Sequence, residues 1–146
     1  MKVLFICTGN TCRSPMAEGI LRKIAKEKGL DIVSSSAGIF ADSGSPAASN
    51  AINSLVDIGI NIKTHRSQLV TEDLIDSSDL ILTMTNSHKN MLVSNYPDKK
   101  YKIFLLNEYA FGKNQDIQDP FGGNKMIYDK ARDEIIYAIE KIYKHI

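Results

Sequence analysis

An open, doubly wound α/β domain, with a four-stranded parallel sheet and helices on both faces, is the fold class that the sequence predicts. Three observations point to it. The runs Val3-Leu4-Phe5-Ile6 and Leu80-Ile81-Leu82-Thr83-Met84 are largely apolar without alternation, as strands buried on both faces are. Segments with helical spacing follow them. No repeat, low-complexity tract or linker divides the 146 residues, so one domain is expected, covering 1–146.

Taken in order, Val3 to Ile6 form the first strand, which makes Cys7 a strand-end residue. Ala17, Ile20, Leu21, Ile24 and Ala25 recur at helical spacing, with Ser14 as expected N-cap, Pro15 as first helical residue and Gly29 as the stop. Residues 31–37 read as a weaker second strand, and Ala47 to Ile58 as a helix. Thr71 followed by Glu72 and Asp73 marks the start of a short helix to about Ser77. Leu80 to Met84 is the third strand, Asn86 to Asn95 a helix with weaker periodicity, and Lys102 to Leu106 the fourth strand. From Asn124, Tyr128, Ala131, Ile135, Ile139, Ile142 and Ile146 share one face of a long final helix. In such a fold ligands bind beyond the C-terminal ends of the strands, near a topological switch point, and Cys7 lies at such an end.

A net charge of +1 gives no general pull toward nucleic acid or an anionic membrane, so any anion recognition must be local. No apolar stretch approaches membrane-span length, and the N-terminal apolar run is too short for a secretory signal, which leads us to expect a cytoplasmic protein. The two cysteines, Cys7 and Cys12, are too close in sequence to staple a distant loop, and a chemical role fits them better.

Both lie in Cys7-Thr8-Gly9-Asn10-Thr11-Cys12-Arg13-Ser14, between a buried strand and a helix. A helix N-terminus leaves backbone N–H groups without intrahelical partners, and Gly9 and Asn10 tolerate the left-handed conformations that turn successive amides inward. Arg13 adds a planar fork able to hold two phosphoryl oxygens. The expected occupant is a tetrahedral oxyanion. Cys7 sits at the base of this cradle, where amides, helix end and Arg13 all favour thiolate over thiol. Such a sulfur attacks phosphorus in line to give a cysteinyl-phosphate that water then hydrolyses, with Ser14 donating its hydroxyl to the sulfur. Protonation of the departing group needs an acid on another loop. Asp119, extended by Pro120 and followed by Phe121-Gly122-Gly123, is the candidate, with Asp116 as a nearby rival.

With CTGNTCRSP near the N-terminus and DPFGG before the last helix, the chain resembles the low-molecular-weight protein tyrosine phosphatase family along essentially its whole length. The resemblance implies Cys7 as nucleophile, Arg13 as phosphate ligand, Ser14 as thiolate partner and Asp119 as general acid and then base. It also implies Asn10 as a brace of the loop, with Ser36 and His65 as its hydrogen-bond partners. Thr8, Gly9, Asn10, Thr11, Cys12 and Ser14 complete the substrate-binding loop. No metal or organic cofactor is implied, and the expected partners are phosphorylated proteins met by a monomer.

Two departures bear on the substrate. Thr11 stands where tyrosine-directed members commonly carry a bulky aliphatic residue, and Phe121-Gly122 where many carry tyrosines; in both, the chain resembles the bacterial protein arginine phosphatase branch. A threonine at the mouth leaves room and a hydroxyl for a guanidinium, so phosphoarginine is the expected substrate, with phosphotyrosine the alternative. Phe40 and Phe121 are the expected walls for the methylene stem. Cys12 is the expected redox partner of Cys7, closing a reversible disulfide. Thioredoxin-coupled arsenate reduction fits poorly because no cysteine follows Cys12. A non-catalytic phosphate-binding module would not need both Cys7 and Asp119, and no Gly-Lys-Ser/Thr follows the loop glycine as a nucleotide-binding P-loop requires.

Overall fold

The structure, a computed structural model, describes residues 1–146. Four strands, β1 (Lys2–Cys7), β2 (Val33–Gly38), β3 (Leu80–Thr83) and β4 (Ile103–Leu105), form one sheet in the order β2-β1-β3-β4, all parallel. Six helices accompany them: α1 (Arg13–Lys28), α2 (Ser49–Val56), α3 (Glu72–Ser77), α4 (Asn86–Asn95), α5 (Leu106–Phe111) and α6 (Lys125–Ile142). Successive side chains of a strand point to opposite faces. Val3, Phe5 and Cys7 therefore join Leu80 and Leu82 in the larger core under α1, α2, α5 and α6, while Leu4 and Ile6 join Ile81 and Ile103 in a smaller core with Ile75 of α3 and Leu92 of α4. The chain leaves β1 on one side toward β2 and on the other toward β3, so the switch point lies beyond Cys7, as expected.

Several boundaries differ from the sequence reading. Helix α1 starts at Arg13, not Pro15, and Cys12 rather than Ser14 is its flanking residue, with no side-chain cap. Ser14 is buried inside the first turn because its hydroxyl is used on Cys7 instead. Gly29 ends α1 in the left-handed region at φ 64°, where a residue without Cβ is favoured. Lys102 belongs to a 3₁₀ segment that precedes β4, and its Nζ donates to Ser78 O at 2.6 Å. Helix α5 had no signal because six residues are too few for a periodic pattern; Glu108 reaches back to accept from the Leu105 N–H at 3.2 Å. The long last helix ends at Ile142, four residues before Ile146.

One close approach locks the end of β2 to the loop after β1. A Cβ on Gly38 would stand 2.5 Å from Thr8 O and 2.9 Å from Asn10 N, both backbone atoms. Gly38→Ala is therefore expected to lower stability by ~1–3 kcal/mol and to raise the rate at which Cys7 is alkylated. Urea unfolding and thiol labelling check this; an unchanged midpoint with unchanged labelling would contradict it.

Candidate active site

Cys7 ends β1 almost fully buried, with its Sγ 2.9 Å from Ser14 Oγ. The donor inventory sets the direction of that contact. Asn10 Nδ2 gives its two protons to Ser14 Oγ at 2.8 Å and Ser36 Oγ at 2.9 Å, and Ser36 gives its own to Glu18 Oε1 at 2.5 Å. Ser14 is thus an acceptor from Asn10, and its hydroxyl proton is free for the sulfur. Asn10 is also held from its other atoms: its Oδ1 accepts from the Gln68 N–H at 3.0 Å, and its carbonyl accepts from His65 Nε2 at 2.7 Å. These bonds fix it at φ 58°, the one non-glycine residue with positive φ.

A left-handed residue at this place is the kind that turns successive amides to one side of a loop. None of the backbone N–H groups from Thr8 to Ser14 donates a hydrogen bond within the protein. Arg13 flanks the loop. Its guanidinium is buried, donates from Nη1 to Ile117 O at 3.0 Å, lies 3.6 Å by Nη2 from Asp119 Oδ2, and leaves Nε buried without a partner. Donors this concentrated, around a sulfur and beside a fixed positive charge, are satisfied by an oxyanion with several acceptor oxygens.

Beside it is a cavity of about 230 Å³ lined by Cys7, Thr8, Gly9, Thr11, Cys12 and Arg13 from the loop. Asp119 and Phe121 line it from the segment before α6. Asp119 accepts from the Phe121 N–H at 3.1 Å, which holds its carboxylate at the mouth. Asp116 is engaged elsewhere, accepting from the Asn86 N–H at 2.8 Å at the start of α4, and does not line the cavity. Phe40 does not line it either. Its N–H donates to Thr8 O at 2.9 Å, but its side chain faces solvent, 68% exposed. Cys7 and Cys12 are both free thiols, and Cys12 Sγ lies 3.2 Å from the hydroxyl of Tyr128 on α6. Burial pushes the Cys12 thiol up and is also the main cause that raises Tyr128.

The family model for the low molecular weight phosphotyrosine protein phosphatase matches residues 2–146. The chain belongs to this family. It is 40% identical over 146 residues to the protein-arginine-phosphatase of Bacillus subtilis, covering 100% of this chain and 97% of that one. A solved low molecular weight protein tyrosine phosphatase from T. tengcongensis superposes with a TM-score of 0.96 at 44% identity, covering 100% and 99% of the two chains. A solved YwlE arginine phosphatase, a cysteine-to-serine mutant with a phosphorylated active site serine, superposes with a TM-score of 0.96 at 40% identity, covering 99% and 94%.

The fold thus brings Cys7, Thr8, Gly9, Thr11, Cys12 and Arg13 of the loop together with Asp119 and Phe121 at one cavity, with Asn10, Ser14, Ser36 and His65 behind the loop. Gln68, Glu18 and Tyr128 extend the support, and His88 was missed altogether: its Nε2 lies 2.8 Å from Thr8 Oγ1. A signal existed, because His88 follows the strand that neighbours β1 at its C-terminal end. Burial, then the Arg13 charge, pushes His88 from 6.5 down to about 4, against the opposing pull of Asp116 and Asp119. The unfolded chain therefore takes up a proton that the folded one refuses. Stability is expected to fall as pH drops from 6.5 toward about 4, and His88→Gln to flatten that part of the profile. Denaturation midpoints across this range check it; parallel profiles for the two proteins would contradict it.

Proposed function

We propose that the protein dephosphorylates phosphoarginine side chains of proteins through a cysteinyl-phosphate on Cys7. The observation that carries this reading is the loop beside Cys7, whose N–H groups from Thr8 to Ser14 donate to no acceptor in the protein and which Arg13 flanks with its unpartnered Nε. In the first step the Cys7 thiolate attacks phosphorus, the S–P bond forms and the P–N bond breaks, while Asp119 protonates the departing guanidine. Equatorial oxygens remain on the loop amides and on Arg13, which stabilise the charge that spreads there in the transition state. The Ser14 hydroxyl proton, left free by the Asn10 network, stabilises the sulfur before attack and again when it leaves. In the second step Asp119 accepts a proton from water, water oxygen bonds to phosphorus, the S–P bond breaks and inorganic phosphate departs.

Preference for arginine rests on the mouth of the cavity. Thr11 is small and brings a hydroxyl to the lining, and Phe121 offers an apolar wall at 78% exposure for a methylene stem. The name of the Bacillus subtilis relative supports the same substrate. Phosphotyrosine is the second reading, favoured by the name of the T. tengcongensis relative at 44% identity. Cys12, in the same cavity lining, is the thiol that would attack a Cys7 sulfenic acid formed by peroxide, releasing water and closing a disulfide. The same reading takes the protein as a monomer in the cytoplasm, a compartment that returns both cysteines to thiols.

Phosphoarginine protein and phosphotyrosine peptide assayed side by side test this. Wild type is expected to favour phosphoarginine, and Thr11→Ile to shift the ratio of kcat/KM values toward phosphotyrosine by about tenfold or more; an unchanged ratio would remove the specificity argument. Asp119→Ala is expected to lower kcat on phosphoarginine by about 10²–10⁴-fold, and wild-type turnover by that variant would exclude Asp119 as the acid.

A further inference from the structure

His88 is buried, 6% exposed, and has no task in the steps above. It is the third residue of α4, anchored by its backbone N–H, which donates to Thr85 Oγ1 at 3.2 Å. Its ring meets the active-site loop through a single polar contact, Nε2 to Thr8 Oγ1 at 2.8 Å, and its Nδ1 is buried with no partner. An unpartnered buried nitrogen is a cost that a hydrophobic side chain of similar size would avoid, so its presence calls for a reason. Thr8 supplies one: it follows Cys7 directly and lines the substrate cavity.

The two neutral tautomers of His88 have different consequences for Thr8. With the proton on Nδ1, a buried N–H donor is orphaned and the Thr8 hydroxyl must spend its own proton on Nε2. With the proton on Nε2, the donor is satisfied, only a lone pair is left over, and Thr8 keeps its hydroxyl proton and a second lone pair for another partner. Orphaned buried donors are rarer than under-satisfied acceptors, which favours the second arrangement. Burial opposes a second proton on the ring, and the Arg13 charge opposes it further, so the imidazole stays neutral near neutral pH despite Asp116 and Asp119.

We propose that His88 is a positioning residue: as an Nε2–H donor it fixes the side chain of Thr8 at the cavity wall and turns the Thr8 hydroxyl proton toward the substrate. This role rests on the phosphatase reading above. Thr8 then offers a donor to a phosphoryl oxygen and a lone pair to a guanidinium N–H, from the residue next to the nucleophile.

Nitrogen-15 NMR of the histidine rings of the full-length protein at neutral pH reads the tautomer. Nε2 is expected to be the protonated nitrogen of His88, and an Nδ1-protonated ring would overturn the proposal. Kinetics on phosphoarginine protein and phosphotyrosine peptide supply the functional readout. His88→Leu is expected to lose about tenfold in kcat/KM, while His88→Gln, whose amide N–H can replace Nε2–H, retains most of it. The double variant His88→Leu with Thr8→Val is expected to be no slower than Thr8→Val alone. Wild-type rates in His88→Leu, or losses that multiply in the double variant, would overturn the role. Should His88→Leu not fold, failure of His88→Gln to match wild type within a few-fold would overturn it as well. A wild-type protein inactive on both substrates would instead defeat the phosphatase reading and this role with it, whatever the tautomer.

Discussion

The run of backbone N–H groups from Thr8 to Ser14 that find no acceptor in the protein is the constraint on which the rest of the structure turns. Such donors stay available to an outside acceptor only while the loop keeps its shape. That shape is held from both sides. Asn10 is held by Ser14, Ser36, Gln68 and His65 at a left-handed backbone angle, and the end of β2 presses on the loop where only glycine fits. An oxyanion entering the loop would find these donors already in place.

Cys7 gains its chemistry from position rather than from any unusual neighbour. The buried strand β1 delivers its sulfur to the start of the loop, α1 begins at the end of the same loop, and the Asn10 network leaves one hydroxyl proton of Ser14 for the sulfur alone. Asp119 arrives from the other end of the chain, beside Arg13, at the mouth of the same cavity. Cys7, Arg13 and Asp119, which the proposed reaction would use as nucleophile, charge clamp and proton donor, thus meet beyond the C-terminal end of β1, the central strand paired with β2 on one side and β3 on the other.

Much of this was readable from residue order. Unbroken apolar runs marked β1 and β3, Gly29 and Thr71 marked helix ends, and the loop between Cys7 and Ser14 declared an anion cradle by its glycine, asparagine and arginine. What escaped depended on contacts between distant segments. Ser14 looked like a helix cap because hydroxyl residues usually are, and only the fold shows that Cys7 claims it first. Asp116 and Asp119 were equivalent on paper; a bond to the start of α4 removes the first from the cavity. Phe40 was expected over the substrate and instead turns to solvent, since its segment meets the loop by backbone alone. His88 and Tyr128 carry no local motif, and their relation to Thr8 and Cys12 spans 80 and 116 residues of chain.

Phosphate titration followed through the backbone amide signals of the assigned protein tests the central claim most directly. Saturable downfield proton shifts confined mainly to the amides of Thr8 to Ser14 and the Arg13 side-chain Nε–H are the predicted result. Amides in that loop that do not respond, while others move or none does, would contradict the account.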